Sequence, residues 1–286
     1  MLIKSFLHKF DVPAGSSAGL TFACEMRRAV ATGILETAST TFLLLIAVRW
    51  FQMGPTHKAL LAGGGSLGLV LGPLAVFLVS RSGLSASRAA AVALCTASLA
   101  TLLAALLPFS GAFVFLNVLA LSCTNACVPL YTHIYQDNYP AHLRGRLFAR
   151  SHNVRIASSI LFAALAGHLL EGRIEYFQLL LVLYSVCFAY SAWNINRIPS
   201  QTLNHGRAEP LAGGFAFLLE DAFFRNTLIS WMLLGFGNLM MWPLRVEYLA
   251  SGKYGLELST SEVALLVAVL PNVARLLINP LWGRLF

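Results

Sequence analysis

Apolar positions in this chain come in long blocks, broken by short polar turns. Eight blocks stand out, over about 29–48, 59–79, 89–107, 113–135, 156–170, 177–193, 227–248 and 263–281. About 20 apolar residues carry a helix across the hydrocarbon of a bilayer. In lipid a helix also satisfies its own backbone amides, which nothing outside it would do. The blocks therefore predict eight membrane-spanning helices. The organisation that follows is a lead-in over 1–28, a six-helix half over 29–193, a connection over 194–225 and two further helices within 226–286. The connection is more polar, but its stretch FAFLLEDAFFRN sets Phe215, Leu218, Leu219, Ala222 and Phe223 at helical spacing. That pattern predicts an amphipathic helix lying in the membrane interface.

Composition sharpens the picture. Only 11% of the 286 residues are charged, against about 25% in soluble domains, too few to cover a globule in water. The fold class expected is an all-α membrane protein. The formal charge of +8 does not point to nucleic acid, because the excess sits in short turns between blocks rather than on one basic face. One set of turns collects Lys4, Lys9, Arg27, Arg28, Arg81, Arg88, Arg144, Arg146, Arg150, Arg155, Arg197, Arg207, Arg225 and Arg284. The other collects Arg49, Lys58, Arg173, Arg245 and Lys253, while Arg275 falls inside a block. Fourteen against five places the first set, and the N-terminus with it, in the cytoplasm. The location expected is the cell membrane, crossed many times; in a bacterium this is the inner membrane. The densest part of the first set, YPAHLRGRLFARSHNVR at 139–155, reads as a cytoplasmic loop. It either anchors the chain to anionic headgroups or also takes part in gating.

Other features narrow the chemistry. Cys24, Cys95, Cys123, Cys127 and Cys187 are odd in number and lie mostly in apolar blocks. Cys123 and Cys127 are one turn apart without a second pair or a histidine at ligand spacing, so no metal or other cofactor is expected. The opening MLIKSFLHKFDVPAGSS has charges within its apolar part and lacks the cleavage pattern of a signal peptide. Gly64, Gly68 and Gly72 line one face of the second helix, where another helix can approach closely.

Two segments repeat. GPLAVFL from Gly72 is matched in part by NPLWGRL from Asn279, with Pro73 answering to Pro280, Leu74 to Leu281 and Leu78 to Leu285. Both end a helix on the cytoplasmic side, which predicts two halves related by duplication. Here the chain resembles the major facilitator superfamily of secondary transporters. Six helices, a longer cytoplasmic connection and helices again is that family's layout. Its motif G-x-L-x-D-R-x-G-R-R after the second helix is degenerate here: Val76 and Ser80 replace the Gly and Asp, while Arg81 and Gly83 remain. Gly283 and Arg284 look like the start of the second copy. Asp137, Pro140, Arg144 and Gly145 look like the family's acidic, Pro and Arg-Gly pattern after the fourth helix. The resemblance covers the chain from about Arg28 onward. It implies a monomer working by alternating access, with Arg81, Gly83, Asp137, Pro140, Arg144, Gly145, Gly283 and Arg284 in gating loops. It also implies a parent of twelve helices. On that reading the chain stops inside the second motif, and the gene continues with Asp-Arg, a basic loop and four more helices.

Candidate binding residues lie inside the blocks. Glu36 reads as the one acidic residue well inside a helix of the first half. An ionisable group at that depth should face a cavity or a partner. The resemblance implies that the first, fourth and seventh helices line the central cavity. Glu36 is then a candidate for proton coupling, or for binding a cationic or hydroxyl-bearing solute; a structural carboxyl bonded to Thr40 is the alternative. Asn117, Thr124, Tyr131 and Tyr135 fall near one face of the fourth helix, which Pro129 should kink. They suit either substrate contact or helix–helix hydrogen bonding. Asn238 and Trp242 are a turn apart in the seventh helix. Arg275, a turn beyond Asn272, can attract an anion, pair with a carboxylate or snorkel to the cytoplasm. The family's Gly-rich antiporter signature is missing from SSILFAALAG in the fifth helix, which leans to symport or uniport. The function expected from the resemblance is secondary active transport of a small solute, with the proton as candidate coupling ion. A non-transporting membrane sensor or scaffold is the alternative. Behind it stands a membrane-embedded transferase built on His133 and Asp137. Beyond solute, proton and lipid bilayer, no partner is expected.

Overall fold

A computed structural model describes residues 13, 15–107, 109–171, 173–203 and 219–285, with 279–285 as backbone alone. Eight long helices account for most of these residues. They are α1 (Ser17–Arg49), α2 (Pro55–Ser82), α3 (Ala86–Leu106), α4 (Ser110–Asn138), α5 (Ala141–Leu169), α6 (Phe177–Asn196), α7 (Ala222–Ala250) and α8 (260–285). All but α5 contain a stretch long and apolar enough to cross a membrane, as a multi-pass membrane protein requires. α5 is long enough, but its first half carries Arg144, Arg146, Arg150 and Arg155.

The helix starts correct two expectations. α1 begins at Ser17, whose predecessor Ser16 caps it by accepting from the Gly19 amide at 3.1 Å. Residues 17–28 are therefore helix, not lead-in. The Arg-rich stretch is likewise not a loop. Pro140 precedes the first turn of α5, its carbonyl accepts from the Leu143 and Arg144 amides, and the helix then runs unbroken through Arg155. Proline lacks the amide that a helix start leaves unpaired in any case. The sequence showed charge where a loop was expected, but charge does not stop a helix. The amphipathic helix expected at FAFLLEDAFFRN begins outside the described residues, but from Ala222 onward the same stretch forms the first turns of α7 rather than a separate helix. Of its apolar positions, Leu219 and Phe223 are exposed.

Close packing follows the small residues. A Cβ on Gly64, Gly68 or Gly72 would press into Val118, Ser122 or Pro129, so the Gly face of α2 lies directly on α4. Ser122 Oγ donates to the Gly64 carbonyl at 2.9 Å across that seam. α3 and α6 are tied reciprocally, Ser98 Oγ to Ser185 O and Ser185 Oγ to Ser98 O, each 2.8 Å. α4 breaks at Cys127 into Ser110–Ala126 and Val128–Asn138, two residues ahead of Pro129. This is the interruption the sequence predicts there, because Pro129 supplies no amide to the turn before it.

The two ends of the bundle are distinct. At one end Ser87 N donates to Ser200 Oγ (2.9 Å) and Asn138 Nδ2 to Pro199 O (2.7 Å), joining the starts and ends of α3, α4 and α6. At the other end Trp50, Phe51, Phe113 and Phe177 form one aromatic cluster. There α7 and α8 are fastened to the first six helices. Lys58 Nζ lies 2.7 Å from Glu247 Oε2, Arg49 donates to Thr260 Oγ1 (2.6 Å) and to the Leu258 carbonyl, and Ser261 donates to Glu171 (2.6 Å). Arg49 and Lys58 belong to the less basic set of turns, so they lie at the end opposite the Arg-rich start of α5.

Candidate functional site

Two glycines bring α5 into place. A Cβ on Gly33 of α1 would lie 2.8 Å from Ser158 Cβ and closer still to the Arg155 carbonyl. A Cβ on Gly167 would lie 2.7 Å from Ala264 Cβ of α8. α5 is thus held tightly between α1 and α8, and one charge from each helix meets at one point. Arg155 Nε lies 3.1 Å from Glu36 Oε2, and Arg275 Nη1 donates to Glu36 Oε1 at 3.1 Å. Arg155 is the middle residue of α5, and Arg275 lies near the middle of α8. Asn272 sets the Arg275 side, accepting from its Nη1 (3.1 Å) while donating to Ser159 Oγ (3.2 Å). A π-helical turn interrupts both α1 at Ala38–Phe42 and α8 at Leu265–Val269. Such turns widen a helix locally and recur at functional sites.

Glu36 and Arg155 line a cavity of about 530 Å³ that extends toward the Arg-rich end. Its walls include Thr40, Thr124, Tyr131, Tyr135 and Trp242, with Leu35, Leu94, Leu121, Phe148 and Phe188 as the apolar part. A second polar cluster closes one side. Arg28 is buried and gives a two-pronged hydrogen bond to Glu25, Nε to Oε1 at 3.0 Å and Nη2 to Oε2 at 2.9 Å. Its Nη2 also donates to Tyr135 Oη (3.0 Å), and the guanidinium stands 4.4 Å from the Tyr131 ring centre. Guanidinium suits this role because its planar fork matches a carboxylate and its face stacks on an aromatic ring.

Most of the residues singled out in the sequence converge. Glu36, Thr40, Thr124, Tyr131, Tyr135 and Trp242 share the cavity, and Arg275 joins through Glu36. Thr40 Oγ1 donates to the backbone carbonyl of Glu36 (2.9 Å), not to its carboxylate. Trp242 Nε1 points to the Thr40 carbonyl at 3.4 Å. Two residues do not join. Asn117 is buried against its own helix, donating to Phe113 O (2.8 Å), because its side chain follows the inner seam of α4 rather than the cavity face. Asn238 is exposed on α7. Glu36 is also not the lone acid within its helix. Glu25 lies in the same helix, 5% exposed, because α1 starts earlier than the apolar block did.

The expected gating loops are mostly helix ends. Arg81 is exposed over the Phe77 ring, 4.5 Å from its centre, and Gly83 ends α2 at φ 69°, a left-handed value that suits glycine. Asp137 faces His133 at 3.4 Å in the last turns of α4. Pro140 caps α5, Arg144 donates to the Gln136 carbonyl (3.1 Å), and Gly145 is exposed within α5. Gly283 and Arg284 belong to the final turn of α8, where the side chains lie outside the described residues. Among the described residues no group of three His, Cys, Asp or Glu side chains is placed to hold a metal.

Sequence reasoning missed Glu25, Arg28 and Arg155 as cavity residues. A signal existed for the first two: Glu25 and Arg28 are three apart, the spacing at which helical side chains meet. Compared with known proteins, the chain matches no family model and no curated sequence.

Proposed function

We propose that this chain carries secondary transport of a small solute by alternating access, in the manner of the major facilitator superfamily. One observation carries the reading. The cavity around Glu36 faces the Arg-rich end, and a second recess of about 650 Å³, lined by Arg49, Lys58, Glu247 and Thr260, lies at the other end. Between them residues 41–47 of α1 are all buried, none more than 3% exposed. Seven helical residues span about 10 Å. A solute path with a thin packed barrier, next to charges at mid-helix depth, is what alternating access needs. The basic bias supports a cytoplasmic inner cavity and a cytoplasmic N-terminus. Moving Arg28 and Arg155 from turns to cavity leaves twelve basic residues against five, still a clear asymmetry.

Glu36 is the coupling residue in this proposal. The protein in proteoliposomes, given an inward proton gradient and a panel of labelled solutes, should accumulate one of them. Glu36→Gln should lose gradient-driven accumulation and keep exchange of solute down its own gradient. Undiminished proton-driven accumulation by the variant would remove Glu36 from the coupling step. An active membrane protein that moves no solute at all would favour the sensor or scaffold reading.

A further inference from the structure

The cavity holds two arginine clusters that differ in balance. Arg28 is matched by one carboxylate, Glu25, through both prongs of its fork. Glu36 is shared by two guanidiniums, those of Arg155 and Arg275. The five groups therefore leave one positive charge in excess, on the Glu36 side. His152 is the further titratable ring on that wall. Arg155 Nε is buried and, although 3.1 Å from Glu36 Oε2, is not aligned for a hydrogen bond. The Arg155 side chain is 37% exposed, so its fork is reachable from the cavity, and its buried Nε leaves a hydrogen bond open to a ligand oxygen. The same cavity is lined by Phe148, Trp242 and Leu35, apolar surface for the rest of a ligand. A few charged groups set in an apolar wall fix the orientation of a small molecule.

We infer that the substrate is a small organic anion, one carboxylate on a compact apolar body, whose carboxylate takes Arg155 in competition with Glu36. This rests on the transport reading and gives it a substrate class. Competition makes a distinctive demand. Removing the Glu36 charge should strengthen anion binding, whereas removal of a merely structural carboxylate would weaken it or leave it unchanged.

The probe is labelled benzoate, with benzyl alcohol and benzylamine as its neutral and cationic counterparts, measured by equilibrium binding to the purified full chain in detergent. Benzoate should bind at least tenfold more tightly than either counterpart. Glu36→Gln should raise benzoate affinity severalfold. Arg155→Gln should lower it at least tenfold, and Arg155→Lys, which keeps the charge without the fork, should lower it less. Arg88→Gln, at an exposed position remote from the cavity, should change nothing. Benzoate binding no tighter than benzyl alcohol would overturn the inference, and so would a fall in affinity with Glu36→Gln in a protein that still folds. The two readings fail separately. Tight benzoate binding without uptake into vesicles would remove transport and leave an anion site. Uptake of benzylamine in preference to benzoate would keep transport and remove the anion.

Discussion

Gly68→Ala is a one-methyl change whose cost can be worked from the α2–α4 seam. The added Cβ would stand 2.8 Å from Ser122 Cα and 2.9 Å from its carbonyl carbon. The Ser122 carbonyl oxygen is nearer still; carbon atoms settle at about 3.5–4.0 Å, so the helices must separate by at least roughly 0.7 Å. All three nearest neighbours are backbone atoms of Ser122, which cannot swing away as the end of a side chain would. Overpacking of this kind costs about 1–3 kcal/mol. Separation also stretches the 2.9 Å bond from Ser122 Oγ to Gly64 O, worth about 0.6 kcal/mol between membrane helices. Against this, alanine gains up to about 1 kcal/mol in helix propensity. The net expectation is destabilisation by roughly 0.6–2.6 kcal/mol. Gly63→Ala is the internal control, since a Cβ there meets nothing within 4 Å. It keeps the propensity gain and adds no clash, so it should be neutral or stabilising. Both variants would be followed by thermal unfolding in one detergent. If Gly68→Ala proves as stable as Gly63→Ala, the close α2–α4 contact is not what holds this seam together.

Three further outcomes are expected. Glu25→Gln should destabilise the protein by about 3–5 kcal/mol, because it strands the buried Arg28 charge; the pair Glu25→Gln with Arg28→Met should recover part of that loss on thermal unfolding, and no recovery would mean that the charge pairing is not the cause. Lys58→Glu or Glu247→Lys should loosen the clasp that fastens α7 to α2, and the two together should restore it. A double-mutant cycle should give a coupling energy above the ~0.2–1 kcal/mol of exposed pairs, since Lys58 is only 6% exposed; a coupling near zero would refute the clasp. In a background without the native cysteines, a cysteine at Thr56 should react with an impermeant thiol reagent on intact cells and one at Arg146 should not, and the reverse result would invert the topology.

Much of this protein is determined by the sequence alone. Long apolar blocks have no means of staying in water and, in lipid, no way to satisfy their backbone except as helices, so the number and approximate place of the long helices follow from hydropathy. The Gly64, Gly68, Gly72 face also follows, because four-residue spacing puts small residues on one side and leaves room there for a neighbour. Glu36, Thr124, Tyr131 and Tyr135 are legible as cavity candidates, since a polar group within an apolar block must face something other than lipid. Tertiary structure decided the rest. The apolar blocks mark hydrocarbon depth, not helix length, so the early starts of α1 and α5, the burial of Glu25 and Arg28 and the cavity position of Arg155 were hidden. Charges near a block's edge read as turn residues until a partner is seen. Nothing in local spacing pairs residue 36 with residues 155 and 275. That meeting depends on Gly33 and Gly167, which let α5 press against α1 on one side and α8 on the other, and so set two guanidiniums around one carboxylate.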